Sequence, residues 1–225
     1  MKICCLSRWM VPALLLGIAS WAVAQETPTI AGIGPTAAVT KLHGGFEFAE
    51  GPAQDGHGNV YFSDIPTNRI YKLEQDGRLS IFLEPTGHAN GLMFNSAGTL
   101  FACQMDGQVV AIDPESKKVT VVAAQYQDNR FNAPNDLVLD RAGGIYFTDP
   151  RYRAPQPLPQ GTEAVYYVAP DGAVTRLIDN LQAPNGVILS PDEKTLYVTP
   201  TEQKEVWAYA VESPGKLGPG RALCS

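Results

Sequence analysis

Along the chain, apolar and polar residues alternate in short runs of roughly four to eight, separated by clusters of Gly, Asp, Asn and Pro. That period-two pattern predicts strands joined by tight turns and argues against helices. Four segments repeat the pattern in the same order: AEGPAQDGHGNVYFSD (49–64), ANGLMFNSAGTLFACQ (89–104), PNDLVLDRAGGIYFTD (134–149) and PNGVILSPDEKTLYVTP (184–200). Each opens on an acidic or amide residue, usually followed by Gly. A short apolar strand, a polar turn and an aromatic or β-branched strand come next. Two further strand-like runs around a turn follow in each unit, at 69–83, 108–122 and 164–178, and more loosely at 205–223.

The opening residues are Glu50, Asn90, Asn135 and Asn185, so the units step by 40, 45 and 50 residues. Four strands at that period predict an all-β propeller with one sheet per repeat. A sandwich built from hairpins would also alternate, but it gives no reason for one short motif to open every unit. Residues 25–48 are too short for a unit of their own. VTKLHGGFEF (39–48) is a candidate outer strand closing a ring.

Composition adds an export signal and removes some partners. Lys2 and Arg8, the apolar stretch Val11 to Ile18 and the small residues Ala22-Val23-Ala24 predict a leader over 1–24, cleaved before Gln25. The apolar stretch is shorter than the ~20 residues of a membrane span. The expectation is a periplasmic or secreted protein with no membrane anchor after cleavage. Losing Lys2 and Arg8 with the leader takes the formal net charge from −6 to −8. With no basic cluster, nucleic acid is excluded as a partner. Only Cys103 and Cys224 follow the leader, too few for a disulfide scaffold. Cys103 reads as a packed small residue, and His43, His57 and His88 are scattered without zinc spacing.

In a propeller, the first strand of each sheet lines the central channel, so equivalent positions at its mouth converge. Here those positions carry one carboxylate, Glu50, and three amides, Asn90, Asn135 and Asn185. Such a set of oxygen donors suits a hard divalent cation, calcium above all. The competing reading is that Asn-Gly serves turn geometry through positive φ. Asp136 replaces Gly in the third repeat, within RFNAPND (130–136), and Arg130 precedes it on a loop where it can reach an anionic or polyhydroxylated ligand. Asp149 and Gln104 end matching second strands. Asp64, Asp140 and Asp192 fit turn or strand-end roles.

At FAEGPAQDGHGNVYFSD, RFNAPNDLVLDRAGGIYFTDP and APNGVILSPDEKTLYVT the chain resembles the family of gluconolactonases, regucalcin (senescence marker protein) and luciferin-regenerating-enzyme-like proteins. The resemblance covers about residues 46–222. It implies a six-bladed β-propeller with one divalent metal in the channel, about four blades of which lie in this chain over 49–225. Calcium is the implied ion, with zinc or magnesium as alternatives. Glu50, Asn135 and Asn185 would be metal ligands. Arg130, Asn135 and Asn90 would bind substrate.

The implied activity is metal-dependent opening of a sugar lactone such as gluconolactone. The family's remaining ligand, an Asp that also serves as base or nucleophile in a later blade, has no counterpart before Ser225. No catalytic residue is therefore assigned in this chain. The expectation is an incomplete propeller with little or no turnover of its own. A phosphotriesterase-like hydrolase and a non-catalytic binding or scaffold propeller are the alternatives.

Overall fold

The computed structural model describes residues 39–224, and no helix occurs among them. The expected leader, 1–24, and residues 25–38 lie outside the described residues. The first sheet contains β1 (Ala49–Gln54), β2 (Val60–Asp64), β3 (Arg69–Leu73) and β4 (Leu79–Leu83). The second contains β5 (Ala89–Phe94), β6 (Leu100–Gln104), β7 (Gln108–Ile112) and β8 (Val119–Ala123). A small hairpin, β9 (Gln125–Tyr126) and β10 (Asn129–Arg130), precedes the third sheet. That sheet contains β11 (Leu137–Leu139), β12 (Ile145–Asp149), β13 (Ala164–Val168) and β14 (Val174–Ile178). The fourth contains β15 (Pro184–Leu189), β16 (Thr195–Pro200), β17 (Val206–Ser213) and β18 (Lys216–Cys224).

Each sheet is an antiparallel meander in chain order, as the four-strand repeat requires. The turn between the first two strands recurs with the same chemistry. Asp55 Oδ1 accepts the Asn59 amide at 2.9 Å, Asn95 Oδ1 the Thr99 amide at 2.9 Å, and Asp140 Oδ1 the Gly144 amide at 2.7 Å. In the fourth repeat Ser190 Oγ accepts the Thr195 amide at 3.0 Å. The side-chain oxygen replaces a backbone acceptor and fixes the turn, which in turn fixes strand register.

The sheets pack face to face through three apolar layers. Tyr61 and Ile70 of the first meet Leu92 and Leu100 of the second. Cys103 and Val109 of the second meet Phe147 and Tyr166 of the third, and Tyr146 and Val165 of the third meet Leu196 and Val198 of the fourth. The first strands β1, β5, β11 and β15 consequently lie side by side in chain order, while the first and fourth sheets do not close on each other.

Residues 39–48 carry no strand of their own. Their backbone is held at its C-terminal end, where Glu47 and Phe48 amides bond to the Asp64 carboxylate. Arg130 lies on β10 rather than on an open loop. Gln127 and Asp128 both have positive φ, 50° and 65°, as a two-residue primed hairpin turn demands. The looser pattern at 205–223 becomes the two longest strands, whose pairing slips register three times.

Candidate functional site

The opening residues of the four repeats share one row. The Gly91 amide donates to the Asn135 carbonyl at 2.8 Å, linking β5 to the lead-in of β11. Ser63 Oγ donates to the Asn90 carbonyl at 2.7 Å, and Thr148 Oγ1 to the Asn185 carbonyl at 2.7 Å. Thus a hydroxyl one residue before the end of the second strand ties its sheet to the next repeat's Asn. Thr199 and Cys103 occupy the matching positions of the other two sheets.

Close approach, not only turn geometry, explains the glycines that follow these residues. A Cβ on Gly51 would collide with the Asn90 carbonyl, and one on Gly91 would sit 2.6 Å from Asp136 Oδ1. Gly51 has a φ of +56°, so its conformation also favours Gly, whereas Gly91 does not lie in the positive-φ region. The row is narrow because neighbouring inner strands touch backbone to backbone.

Asp136 fills the position that Gly holds in the other repeats. Its Oδ2 accepts the Val187 amide at 3.0 Å, which ties β11 to β15. Burial raises its pKa, the hydrogen bonds from Val187 and Leu137 pull it back, and the negative charge of Glu50 raises it further. Asp136 was visible in the sequence as the break in the Asn-Gly pattern, but its contact with the fourth repeat was not.

The amides differ in how they are held. Asn135 is buried, yet its side chain makes no hydrogen bond among the described residues. Asn132, three residues earlier and fully buried, is fully engaged. It donates to the Thr162 carbonyl at 2.8 Å and the Asp149 carbonyl at 3.2 Å, and accepts the Gln160 amide at 3.1 Å. Asn132 was not among the sequence candidates; only its place in RFNAPND hinted at it. Asn90 Nδ2 reaches Met105 Sδ at 3.8 Å, and Asn185 Nδ2 reaches the Tyr152 hydroxyl at 3.4 Å. In both, the NH2 end points at a protein acceptor, which leaves the carbonyl oxygen for another partner.

Arg130 folds over Gly107 and donates to its own loop, Nε to the Phe131 carbonyl at 3.0 Å and Nη2 to the Asn132 carbonyl at 3.2 Å. Its guanidinium remains exposed, with further N–H groups free of these bonds. Cys103 is fully buried and burial pushes its thiol pKa well up, which fits packing rather than nucleophilic chemistry. Two of the three histidines are locally engaged, His43 with the Gly77 carbonyl at 2.8 Å and His88 with Asp106 at 3.0 Å. Asp140 and Asp192 cap turns, through Gly144 and Lys194.

No cluster of three His, Cys, Asp or Glu side chains suited to a metal occurs among the described residues. A cation here would depend on amide oxygens beside one or two carboxylates. That donor chemistry fits a hard divalent ion.

Four meanders joined through a narrow oxygen-bearing inner row define a propeller-type protein. The chain belongs to the SMP-30/gluconolactonase/LRE-like family, whose model matches residues 48–225. It is 33% identical over 192 residues to a gluconolactonase of Zymomonas mobilis, a match covering 75% of this chain and 54% of that protein. A solved gluconolactonase from Xanthomonas campestris superposes with a TM-score of 0.76 at 31% identity, covering 80% of this chain and 64% of that one. A regucalcin from Agrobacterium tumefaciens shares the fold, with a TM-score of 0.66 at 22% identity over 79% of this chain and 59% of that one. The chain thus spans about half the length of the curated relative it matches.

Proposed function

We propose that this chain belongs to a metal-dependent hydrolase that opens a sugar lactone such as gluconolactone, within a six-bladed propeller. The observation that carries the reading is Asn135, whose side-chain amide in the inner row is engaged by no protein group and keeps solvent access, beside Asn132, which three partners hold. The Asn135 amide is thus free to meet a ligand, whereas that of Asn132 is not. The family membership and the gluconolactonase relatives supply the reaction class.

Glu50, Asn135 and Asn185 would hold the ion, with Asn90 and Arg130 on the substrate side. The Agrobacterium regucalcin is a calcium-binding protein, and the all-oxygen donor set favours calcium over zinc. When bound, such an ion would polarise a lactone carbonyl and stabilise the developing oxyanion. Arg130 would orient ring hydroxyls through its unengaged N–H groups, and the Asn135 amide would fix the carbonyl end. No residue of this chain is given the role of base. Export to the periplasm or the exterior is part of the proposal and rests on residues 1–24 alone.

Lactone ring-opening followed by acid release, with chelator and then with added calcium, tests the reading on a protein containing this chain. Turnover should vanish with chelator and return with calcium. Chelator-insensitive opening would remove the metal from the mechanism. Calcium binding with no turnover of any lactone would favour a scaffold role.

A further inference from the structure

The two residues on which the proposed site leans most, Glu50 and Asn135, are preceded by the same clamp. Asp149 Oδ2 accepts the Asn132 amide at 2.8 Å and Oδ1 accepts the Ala133 amide at 2.8 Å. Asp64 Oδ1 accepts the Phe48 amide at 2.8 Å and the Glu47 amide at 3.1 Å. In both cases the clamped amides lie two and three residues before the site residue, and the carboxylate lies fourteen residues after it. Both aspartates are fully buried. Thr67 Oγ1 adds a bond to Asp64 Oδ2 at 2.9 Å.

The other two repeats cap the equivalent amides differently. In the second, Asn68 Oδ1, from outside that sheet, accepts only the His88 amide of the equivalent pair, at 2.8 Å, along with the Thr86 amide four residues before Asn90, at 3.0 Å. In the fourth, Glu163 Oε2 accepts the Ala183 amide at 3.1 Å, and Gln203 Oε1 the Gln182 amide at 3.2 Å. A carboxylate from the sheet's own second strand, bonded to both amides, occurs only in the first and third repeats among the described residues. The lead-ins to Glu50 and Asn135 are therefore the two in which one side chain from the sheet's own second strand holds both amides.

We infer that Asp64 and Asp149 are positioning residues, which fix the backbone leading into Glu50 and Asn135 and thereby aim those side chains into the inner row. Neither touches the proposed ion or substrate. Each acts through the segment it clamps: residues 47–48 for Glu50, residues 132–133 for Asn135 and, through the Asn132 carbonyl, for Arg130. The role rests on the site reading above, but the clamp has consequences that can be read without it.

The test uses the full 225-residue chain and the Asp149→Asn variant, whose amide turns an N–H toward one of the two backbone donors. Amide exchange at Asn132 and Ala133 should quicken at least tenfold, while exchange in β12 and β13 stays within about twofold. The Asn135 side-chain amide resonances should shift or broaden. In a titration with calcium alone, the midpoint should weaken at least fivefold. Faster exchange with unmoved Asn135 resonances and an unchanged calcium midpoint would overturn the inference and leave Asp149 as a structural residue.

If the wild-type chain takes up no calcium, the metal reading fails by itself, and the Asn135 resonances alone decide the clamp. If Asp149→Asn does not fold, Asp64→Asn in the more open first sheet carries the test. Its readouts are Glu47 and Phe48 exchange and the Glu50 carboxyl resonance. Movement of that resonance supports the inference, and its constancy overturns it.

Discussion

The first and third sheets present the same aromatic cluster in two environments. Phe46, Phe62 and Tyr71 of the first repeat correspond to Phe131, Phe147 and Tyr166 of the third. In the first, Phe46 meets Phe62 edge-on at 5.0 Å and 85°, and Phe62 stacks on Tyr71 at 5.5 Å and 17°. In the third, Phe131 meets Phe147 at 4.9 Å and 80°, and Phe147 stacks on Tyr166 at 5.4 Å and 20°. The rings of the third cluster are fully buried against the second sheet, whereas those of the first are only half-buried. Side-chain geometry inside a repeat is thus set locally. Burial, and with it the energy, is set by the neighbouring sheet.

The largest expected effect breaks this pair apart. Phe147→Ala empties a fully enclosed site and should cost about 3–5 kcal/mol, the range for a buried aromatic. Phe62→Ala, which removes the same ring from a half-open face, should cost roughly half that or less, because water already reaches part of the surface. Urea unfolding of both variants checks the ratio. Equal losses would mean that the cluster, rather than its covering sheet, carries the stability.

The same contrast shows what was legible in the sequence. Strand alternation, turn chemistry and the four-fold repeat are local properties, and the four meanders follow from them. Glu50, Asn90, Asn135 and Asn185 were found because one period places them in register. What was not legible depends on contacts between repeats. The bond from Asp136 to the Val187 amide spans 51 residues and leaves no periodic trace. The Asn132 network to Gln160 and Thr162 runs through an irregular loop with no counterpart in the other units. The hairpin carrying Arg130 was missed because Gln127-Asp128 is not the Asn-Gly or Asp-Gly pair that signals a primed turn.

A smaller but sharper test concerns Asp149, inside the fully covered third sheet. Burial raises its pKa to about 7, against hydrogen bonds from Asn132 and Ala133 and the nearby positive charges of Arg130 and Arg176. Its folded pKa lies above the ordinary carboxylate value near 4, so the folded state holds its proton more tightly than the unfolded chain does. This group's contribution to stability is therefore fully present below about pH 4 and is lost as pH rises through about 7. The stability advantage of wild type over Asp149→Asn should accordingly shrink across that window, by an amount on the order of a few kcal/mol. Unfolding curves at intervals between pH 4 and 8 measure it. An advantage that grows with pH would mean that the two amides and two arginines outweigh the burial.

The smallest effect lies in the hydroxyls that tie one sheet to the next. Ser63 makes a single such bond, to the Asn90 carbonyl, and Ser63→Ala should cost about 1 kcal/mol. Thr148 has two tasks: it donates to the Asn185 carbonyl and accepts the Asp136 amide at 3.1 Å. Thr148→Val keeps the shape but strands both partners, so a loss of about 2 kcal/mol is expected. At the matching position of the second sheet, Cys103 makes no such tie, and the Asn135 carbonyl is served by the Gly91 amide instead. Cys103→Ala should then cost only its packing, with the Asn135 lead-in unmoved. Should it loosen Asn135 as Thr148→Val loosens Asn185, judged by amide exchange at each residue, the thiol would have to be counted as a third tie.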